Sequence, residues 1–406
     1  MIEEFTVRGF KSLEDVTLSL GQVNVFIGAN GSGKSNLLEA IGVLSAAADG
    51  EVSDRRLIER GVRPGVPKLY LTAFRPRVGS AGLAHSLFLS ARNPDANRAN
   101  NPIAAYDVTL QNTLEDPRQA WRYEDEHWAE GDFVRVDRSA EPKGRLNDEQ
   151  GLAFSKVFRF RTESPASRLL KELQEYAIWT PTTPVLRGSV EDQSHRPIGL
   201  AGGGINMAVA LTFPNNRPDE NKRVRTDAKH LIDWCEGFGA GTVGYFPLSP
   251  AAAANPFVMG FEDGFMAQGR NVVSAYDASE GALYVLFMAV LAANETSPAI
   301  FAVDNADHGL NPILARELMA RFSDWILTSP RPRQVFLTTH SPLSLDGLPL
   351  NDEKERVRLF TVDRDTDGRT VVQRIALDEA TARWKEKGLT LSRQWTTGCL
   401  GGVPDV

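Results

Sequence analysis

The 406-residue chain is 42 % hydrophobic and 24 % charged, a globular composition with enough apolar sequence for a sizeable core. Its formal net charge of −7 excludes a surface coated uniformly in positive potential, but not a local basic patch for nucleic acid. Two cysteines, Cys235 and Cys399, form no CxxC or metal-type spacing, so free thiols in a reducing compartment are expected. Glu3 and Glu4 interrupt the start of the chain, which shows no secretory apolar stretch. The longest apolar run, residues 282–293, is too short to span a bilayer and reads as a buried helix. A cytoplasmic protein without membrane association is expected.

Three short strands open the chain, IEEFTVRGF, VTLSL and VNVFIG, and a helical pattern begins at Ser35. A Pro/Gly loop, GVRPGVPK, follows. Between about 69 and 160 the pattern is strand-like: LYLTAF, HSLFLSA, IAAYDVTLQ, FVRVDRS and KVFRF. Helical patterning returns in SRLLKELQEYAIW and VRTDAKHLIDWCEGF, separated by the loop-like TPTTPVLRG and GLAGGGIN. Beyond about 240, PAIFAVD, LARELMARFSDWIL and RQVFLTTH alternate strand, helix and strand, a parallel α/β signature. Three parts are expected: an N-terminal lobe over 1–160, a helical lid or insertion over 161–240, and a C-terminal lobe over 241–406.

The strongest chemical signal lies between the third strand and its helix. Gly28-Ala29-Asn30-Gly31-Ser32-Gly33-Lys34-Ser35 matches GxxxxGK[ST] throughout. Glycines let consecutive N–H groups curl around phosphate where a Cβ would obstruct them. The helix that follows aims its N-terminal dipole at the same anion. Lys34 can reach the β- and γ-phosphates and Ser35 can ligate Mg²⁺, so ATP with Mg²⁺ is the expected ligand. Asp304, at the end of the apolar run 299–303, is a candidate for the same metal. Ser279 and Gly281 open the apolar helix; they read either as a simple cap or as donors to a second phosphate.

The order of these motifs resembles that of ABC-type ATPases of the SMC, RecF and OLD group, specifically the AAA15/AAA21-like ATPases of bacterial defence loci. RGFKSL, GANGSGKSNLLEAI, the LNP after Asp304, TTHSP and the tail LTLSRQWTTGCLGGVP carry the likeness, over residues 1–47 and 270–406. The resemblance implies an α/β P-loop fold of ABC/SMC-head type, with one mixed β-sheet lobe, one parallel α/β lobe and inserted β-rich and helical segments. It also implies a head-to-tail homodimer, in which Ser279 and Gly281 contact the γ-phosphate held by the other subunit. Asn311 falls at the D-loop position, and His340 at that of the γ-phosphate-sensing switch histidine. A separate effector, a Toprim-like or HNH nuclease acting in antiphage defence, is implied as a partner in trans.

One departure stands out. Most relatives in that group follow the aspartate at the position of Asp304 (Walker B) with glutamate, whereas this chain has Asn305, whose amide orients water but takes no proton. Either Asp307 acts as base or hydrolysis is slow and ATP binding is the signal. No glutamine marks a Q-loop at Phe74-Arg75-Pro76. Two basic stretches, residues 54–77 and Lys222-Arg223-Val224-Arg225 with Lys229, read either as DNA contacts or as a solvated face or partner-docking surface. The sequence 363–368, DRDTDG, reads as the turn of a β-hairpin rather than as a metal loop, since Arg374 stands where an EF-hand needs glutamate.

Overall fold

The computed structural model describes residues 1–74, 85–94, 103–157 (except 114, 116 and 143–145), 164–188, 205–248 (except 215, 218, 220, 243, 245 and 247), 257–376 (except 353) and 389–401. Fifteen strands among them form three sheets. The first is antiparallel, in the order β2 (Leu13–Ser19), β1 (Glu4–Phe10), β4 (Ser86–Asn93), β5 (Ala104–Gln111), β6 (Arg122–Glu130), β7 (Phe133–Asp137). The second runs β15 (Thr370–Ile375), β14 (Val357–Arg364), β3 (Val23–Ile27), β13 (Gln334–Thr339), β12 (Ile300–Val303), β8 (Ala177–Trp179). Its five strands from β14 to β8 are parallel, and β15 closes the edge as an antiparallel hairpin. A small antiparallel sheet joins β9 (Cys235–Thr242), β10 (Phe257–Asp263) and β11 (Val272–Ser274).

Strands β3, β12 and β13 are buried along their whole length, as a parallel sheet covered on both faces requires. Alternation sends Phe26, Ile300, Ala302 and Phe336 to one core, and Val25, Ile27, Phe301, Val303 and Leu337 to the other. Helix α1 (Lys34–Ala48) fills the first core, between the parallel sheet and the antiparallel one. The short α2 (Asp54–Ile58), α3 (Leu152–Val157) and α4 (Pro165–Gln174) lie on that side. The second core holds α5 (Thr183–Arg187), α6 (Asn206–Thr212), α7 (Lys222–Leu231), α8 (Glu280–Ala293), α9 (Pro312–Thr328), α10 (Pro342–Asp346) and α11 (Leu391–Thr396). Eleven of the fourteen residues of α8 are buried, which explains its unbroken apolar sequence. No helix among the described residues is long and apolar enough to cross a membrane.

Several local expectations change. LYLTAF reduces to a 3-10 turn and a single bridge, Leu71 with Phe10, because Pro67 starts a tight turn there. Lys156 and Val157 of KVFRF belong to or end α3 rather than a strand; the remainder of that stretch lies outside the described residues, as do Arg75 and Pro76. The helix read through SRLLKELQEYAIW stops at Gln174, and Ala177–Trp179 becomes β8, the strand flanking β12. Cys235 likewise leaves the helical pattern to start β9. The hairpin expected around 363–368 is β14–β15.

Candidate nucleotide-binding site

The P-loop bridges the end of β3 and the start of α1, at the edge of the sheet where β12 and β13 also end. Two glycines show why side chains are excluded from it. A Cβ on Gly28 would lie 2.0 Å from the Val362 carbonyl oxygen. Gly33 has φ +112°, and a Cβ there would lie 2.1 Å from Thr370 Oγ1. Thr370 in turn donates to the Ser32 carbonyl at 2.8 Å and pairs with Ser12 Oγ at 2.7 Å, while Arg364 Nε donates to the Gly31 carbonyl at 2.9 Å. The β14–β15 hairpin therefore supports the loop from behind. Nothing in the sequence distance between 33 and 370 announces that contact.

Lys34 is buried and folded back on the loop, its Nζ donating to the carbonyls of Gly28 at 2.8 Å and Ala29 at 2.9 Å, with His340 Nδ1 at 3.4 Å. Burial pulls its pKa down to about 8 against the opposing pull of Asp304 and Asp307. His340 titrates below the ordinary histidine value, chiefly through burial and then through Lys34, so its imidazole is neutral at pH 7. Ser35 Oγ donates to Asp304 Oδ2 at 2.7 Å, and Thr338 Oγ1 donates to the other Asp304 oxygen. Thr338 Oγ1 also accepts from the Asn305 N–H at 2.8 Å. Asn305 has φ +58°, a left-handed conformation that asparagine adopts more readily than most residues. Asp307 Oδ1 is buried and has no hydrogen-bond partner.

The structure thus gathers Asn30, Gly31, Ser32, Gly33, Lys34, Ser35, Asp304, Asn305, Asp307 and His340 around one sheet edge. Ser279, Gly281 and Asn311 are placed elsewhere, at the starts of α8 and α9, where their side-chain bonds are local. Ser279 Oγ accepts from Ala282 N at 3.3 Å; Asn311 Oδ1 accepts from Ile313 N at 3.1 Å and Leu314 N at 2.9 Å. Both readings of Ser279 stay open on this geometry, since a cap occupies the hydroxyl's acceptor side only. Sequence reasoning missed Thr338 as a partner of Asp304, although it lies in the quoted TTHSP. It also missed Glu39, one turn past Ser35, which is buried beneath Lys11 and Arg63 and held below its ordinary pKa by those cations against burial.

The loop fits a nucleotide on two counts: the buried Ser32 hydroxyl has no partner, and Gly31, at φ +77°, has nothing within 4 Å of where a Cβ would stand. The Ser35–Asp304 pair fits a divalent cation, being a hydroxyl and a carboxylate already brought together. Site and fold together define a P-loop nucleotide-binding site at one edge of a largely parallel sheet. Comparison with known proteins finds similarity to AAA-type ATPase domains and to RecF over parts of the chain. A family model described as an AAA ATPase domain matches residues 1–115, and one described as an AAA domain, putative AbiEii toxin, Type IV TA system, matches residues 204–346. The DNA replication and repair protein RecF of Renibacterium salmoninarum is 34 % identical over 113 residues, covering 26 % of this chain and 27 % of that one. RecF of Paenarthrobacter aurescens is 32 % identical over 111 residues, with the same coverage. The chain spans about a quarter of the length of these relatives. Among solved structures, an SMC head bound to the C-winged helix domain of ScpA superposes with a TM-score of 0.52 at 13 % identity, over 94 % of this chain and 99 % of that one, a likeness of fold.

The lowered pKa of Lys34 makes nucleotide affinity depend on pH. Phosphate favours the ammonium, so binding must supply a proton once the free site has lost it. Affinity should therefore be level below pH 8 and fall, by up to about tenfold per unit, as pH rises above it. Stability of the nucleotide-free fold runs the other way: Lys34 is less basic folded than unfolded, so this contribution grows from about pH 8 towards 10.5. Titration with a fluorescent ATP analogue at pH 7, 8 and 9 checks the binding limb. Equal affinities at all three would show that Lys34 keeps its proton in the free site.

Proposed function

We propose that the chain is an ATP-operated dimeric switch. The observation that supports this reading is that Ser279, Gly281 and Asn311 stand at the starts of α8 and α9, apart from the P-loop and Asp304, with side-chain bonds that are local only. Two copies placed head to tail would bring each half-site to the other's complement, closing two ATP molecules between them. In this reading Lys34 and the loop N–H groups bind the phosphates, Ser35 and Asp304 hold Mg²⁺, and the metal neutralises charge between the phosphates. Ser279 and Gly281 reach the partner's γ-phosphate, and Asn311 lies at the interface. Neutral His340 contacts the γ-phosphate by donating its one ring N–H, without altering the net charge. Asn305 orients water, and Asp307 is the available carboxylate.

The resemblance to defence ATPases supports an output through a separate effector, a Toprim-like or HNH nuclease, in antiphage defence; this step is analogy by family. A second reading, a DNA-binding ATPase acting without an effector, is favoured by the RecF matches. The basic stretches lend it less support than their composition suggests. Arg55 pairs with Glu59, Arg56 and Arg60 with Asp49, Arg63 with Glu39, and Arg223 with Asp324, so these cations are already engaged within the chain.

Light scattering separates the outcomes. Mass should double on adding ATP and Mg²⁺ and return to that of one chain with ADP. An unchanged mass at saturating ATP would end the dimeric reading. Turnover raised by double-stranded DNA alone, and lost at high salt, would favour the second reading.

A further inference from the structure

The segment that follows α1 and the helix α3 line a cleft of about 620 Å³, and no residue of the nucleotide site borders it. Cleft and P-loop lie at opposite ends of α1, whose fifteen residues make a rod about 22 Å long. Residues 49–56 and 147–155 supply most of the walls, and Ala120 and Trp121 the rest. The two stretches are joined by the Gly151 N–H, which donates to the Gly50 carbonyl at 2.9 Å. Gly50 has φ +89°, and a Cβ there would lie 2.9 Å from Phe154, so this ring packs against bare backbone. Trp121 spends its indole N–H on Gln119 Oε1 at 2.6 Å, and its ring adds to the apolar lining. Four side chains of the lining are charged. Asp49 and Arg56 pair with each other at 3.1 Å, and Arg60 reaches Asp49 at 2.8 Å. Glu51 and Glu149, one on each stretch, are exposed and form no ion pair among the described residues.

We propose that this cleft binds an aliphatic diamine or triamine, with its methylenes against Phe154 and Trp121 and its ammonium groups toward Glu51 and Glu149. The volume suits a small molecule, whose pockets run from about 300 to 1,000 Å³. Methylenes gain by leaving water for the apolar lining, and the two carboxylates without partners select positive charge at both ends. An anion is disfavoured, since Arg56 is held by Asp49 and by Glu59 at 3.5 Å. A bare metal ion is disfavoured too, because among the described residues no three carboxylate, histidine or thiol side chains converge. The net charge of −7 attracts any polycation diffusely, but salt screens that attraction, and it sets no requirement for an apolar span. The proposal needs neither ATP nor a second copy of the chain, so it stands apart from the dimeric reading.

Isothermal titration of the full chain with spermidine and with putrescine, at about 0.15 M salt and without nucleotide, tests the proposal. Spermidine should saturate at one molecule per chain. Glu51→Gln and Glu149→Gln should each weaken it about three- to fivefold, as the loss of one exposed ion pair does, and the double variant about tenfold or more. Ser155→Trp fills the cleft from an exposed position on α3 without changing the charge, and should abolish binding. Glu175→Gln removes an exposed carboxylate outside the cleft and should bind as the wild type does. Thermal unfolding of each variant should match the wild type, and the glutamine variants carry the test if Ser155→Trp does not fold. Equal weakening by all three single glutamine variants would mean attraction by net charge alone, which overturns the proposal. Binding that survives in a folded Ser155→Trp, or no saturable binding of either amine, overturns it as well. A dilysine peptide that saturates the cleft where the free amines do not would assign it to a basic segment of another protein, and that too overturns it.

Discussion

Replacing Lys34 with alanine should weaken ATP binding by about a hundredfold or more, with the fold intact. The ammonium is the buried cation that the loop presents to phosphate, and in the nucleotide-free site it is parked on the Gly28 and Ala29 carbonyls. Hydrogen bonds to charged partners are worth about 1.5–3 kcal/mol each, so losing two phosphate contacts corresponds to about 3–6 kcal/mol. Each 1.4 kcal/mol is tenfold in affinity, and rearrangement of the carbonyls recovers part of the loss. Lys34→Arg should not rescue binding, because a planar fork does not fit where a compact ammonium sits between two carbonyls 2.8 and 2.9 Å away. Isothermal titration measures the affinity, and thermal unfolding without nucleotide serves as control. The midpoint of unfolding should hold or rise, since burial already disfavours the charged form of this side chain. Binding within a few-fold of wild type would show that ATP is held elsewhere.

That prediction comes from a motif that was wholly legible in the sequence, and the structure shows why it was. The P-loop is local: strand, loop and helix are consecutive, and period and spacing report consecutive things. The strands around Asp304 and Thr339 were legible for a related reason, because central parallel strands are buried on both faces and read as continuous apolar runs. The strand β8 was not. Its three residues, Ala177, Ile178 and Trp179, continue the apolar spacing of α4 without a break, and only pairing with β12 makes them a strand. The charged strand Arg122–Glu130 was hidden too, since its solvent face carries Glu124 and alternation is masked by acids. The long-range parts of the site were illegible in principle. Thr370 against Gly33, Arg364 against Gly31, and Tyr284 against Asn305 are pairings of the fold, and no spacing rule joins residues so distant in sequence.

Substituting glutamate for Asn305 should raise the rate of ATP hydrolysis by about ten- to a hundredfold. General-base catalysis contributes about 10²–10⁴-fold, and an amide in this position supplies none of it. Part of that gain is withheld by the backbone: at φ +58°, asparagine is tolerated, whereas a longer side chain costs about 1–2 kcal/mol. The same cost predicts a lower unfolding midpoint for Asn305→Glu, readable by calorimetry. Asp307 is the second residue to test. Its Oδ1 is buried without a partner, beside Lys34 and His340, as a group reserved for a ligand would be. On the slow-switch reading, wild-type turnover is low, Asp307→Ala changes it little, and Asn305→Glu shortens the life of the ATP-bound dimer in proportion to its faster hydrolysis. Rapid turnover in the wild type, abolished by Asp307→Ala while ATP binding survives, would make Asp307 the base and end the slow-switch reading. Single-turnover hydrolysis, measured beside the lifetime of the dimer, distinguishes the two because only the first ties ATP's residence to the intrinsic slowness set at Asn305.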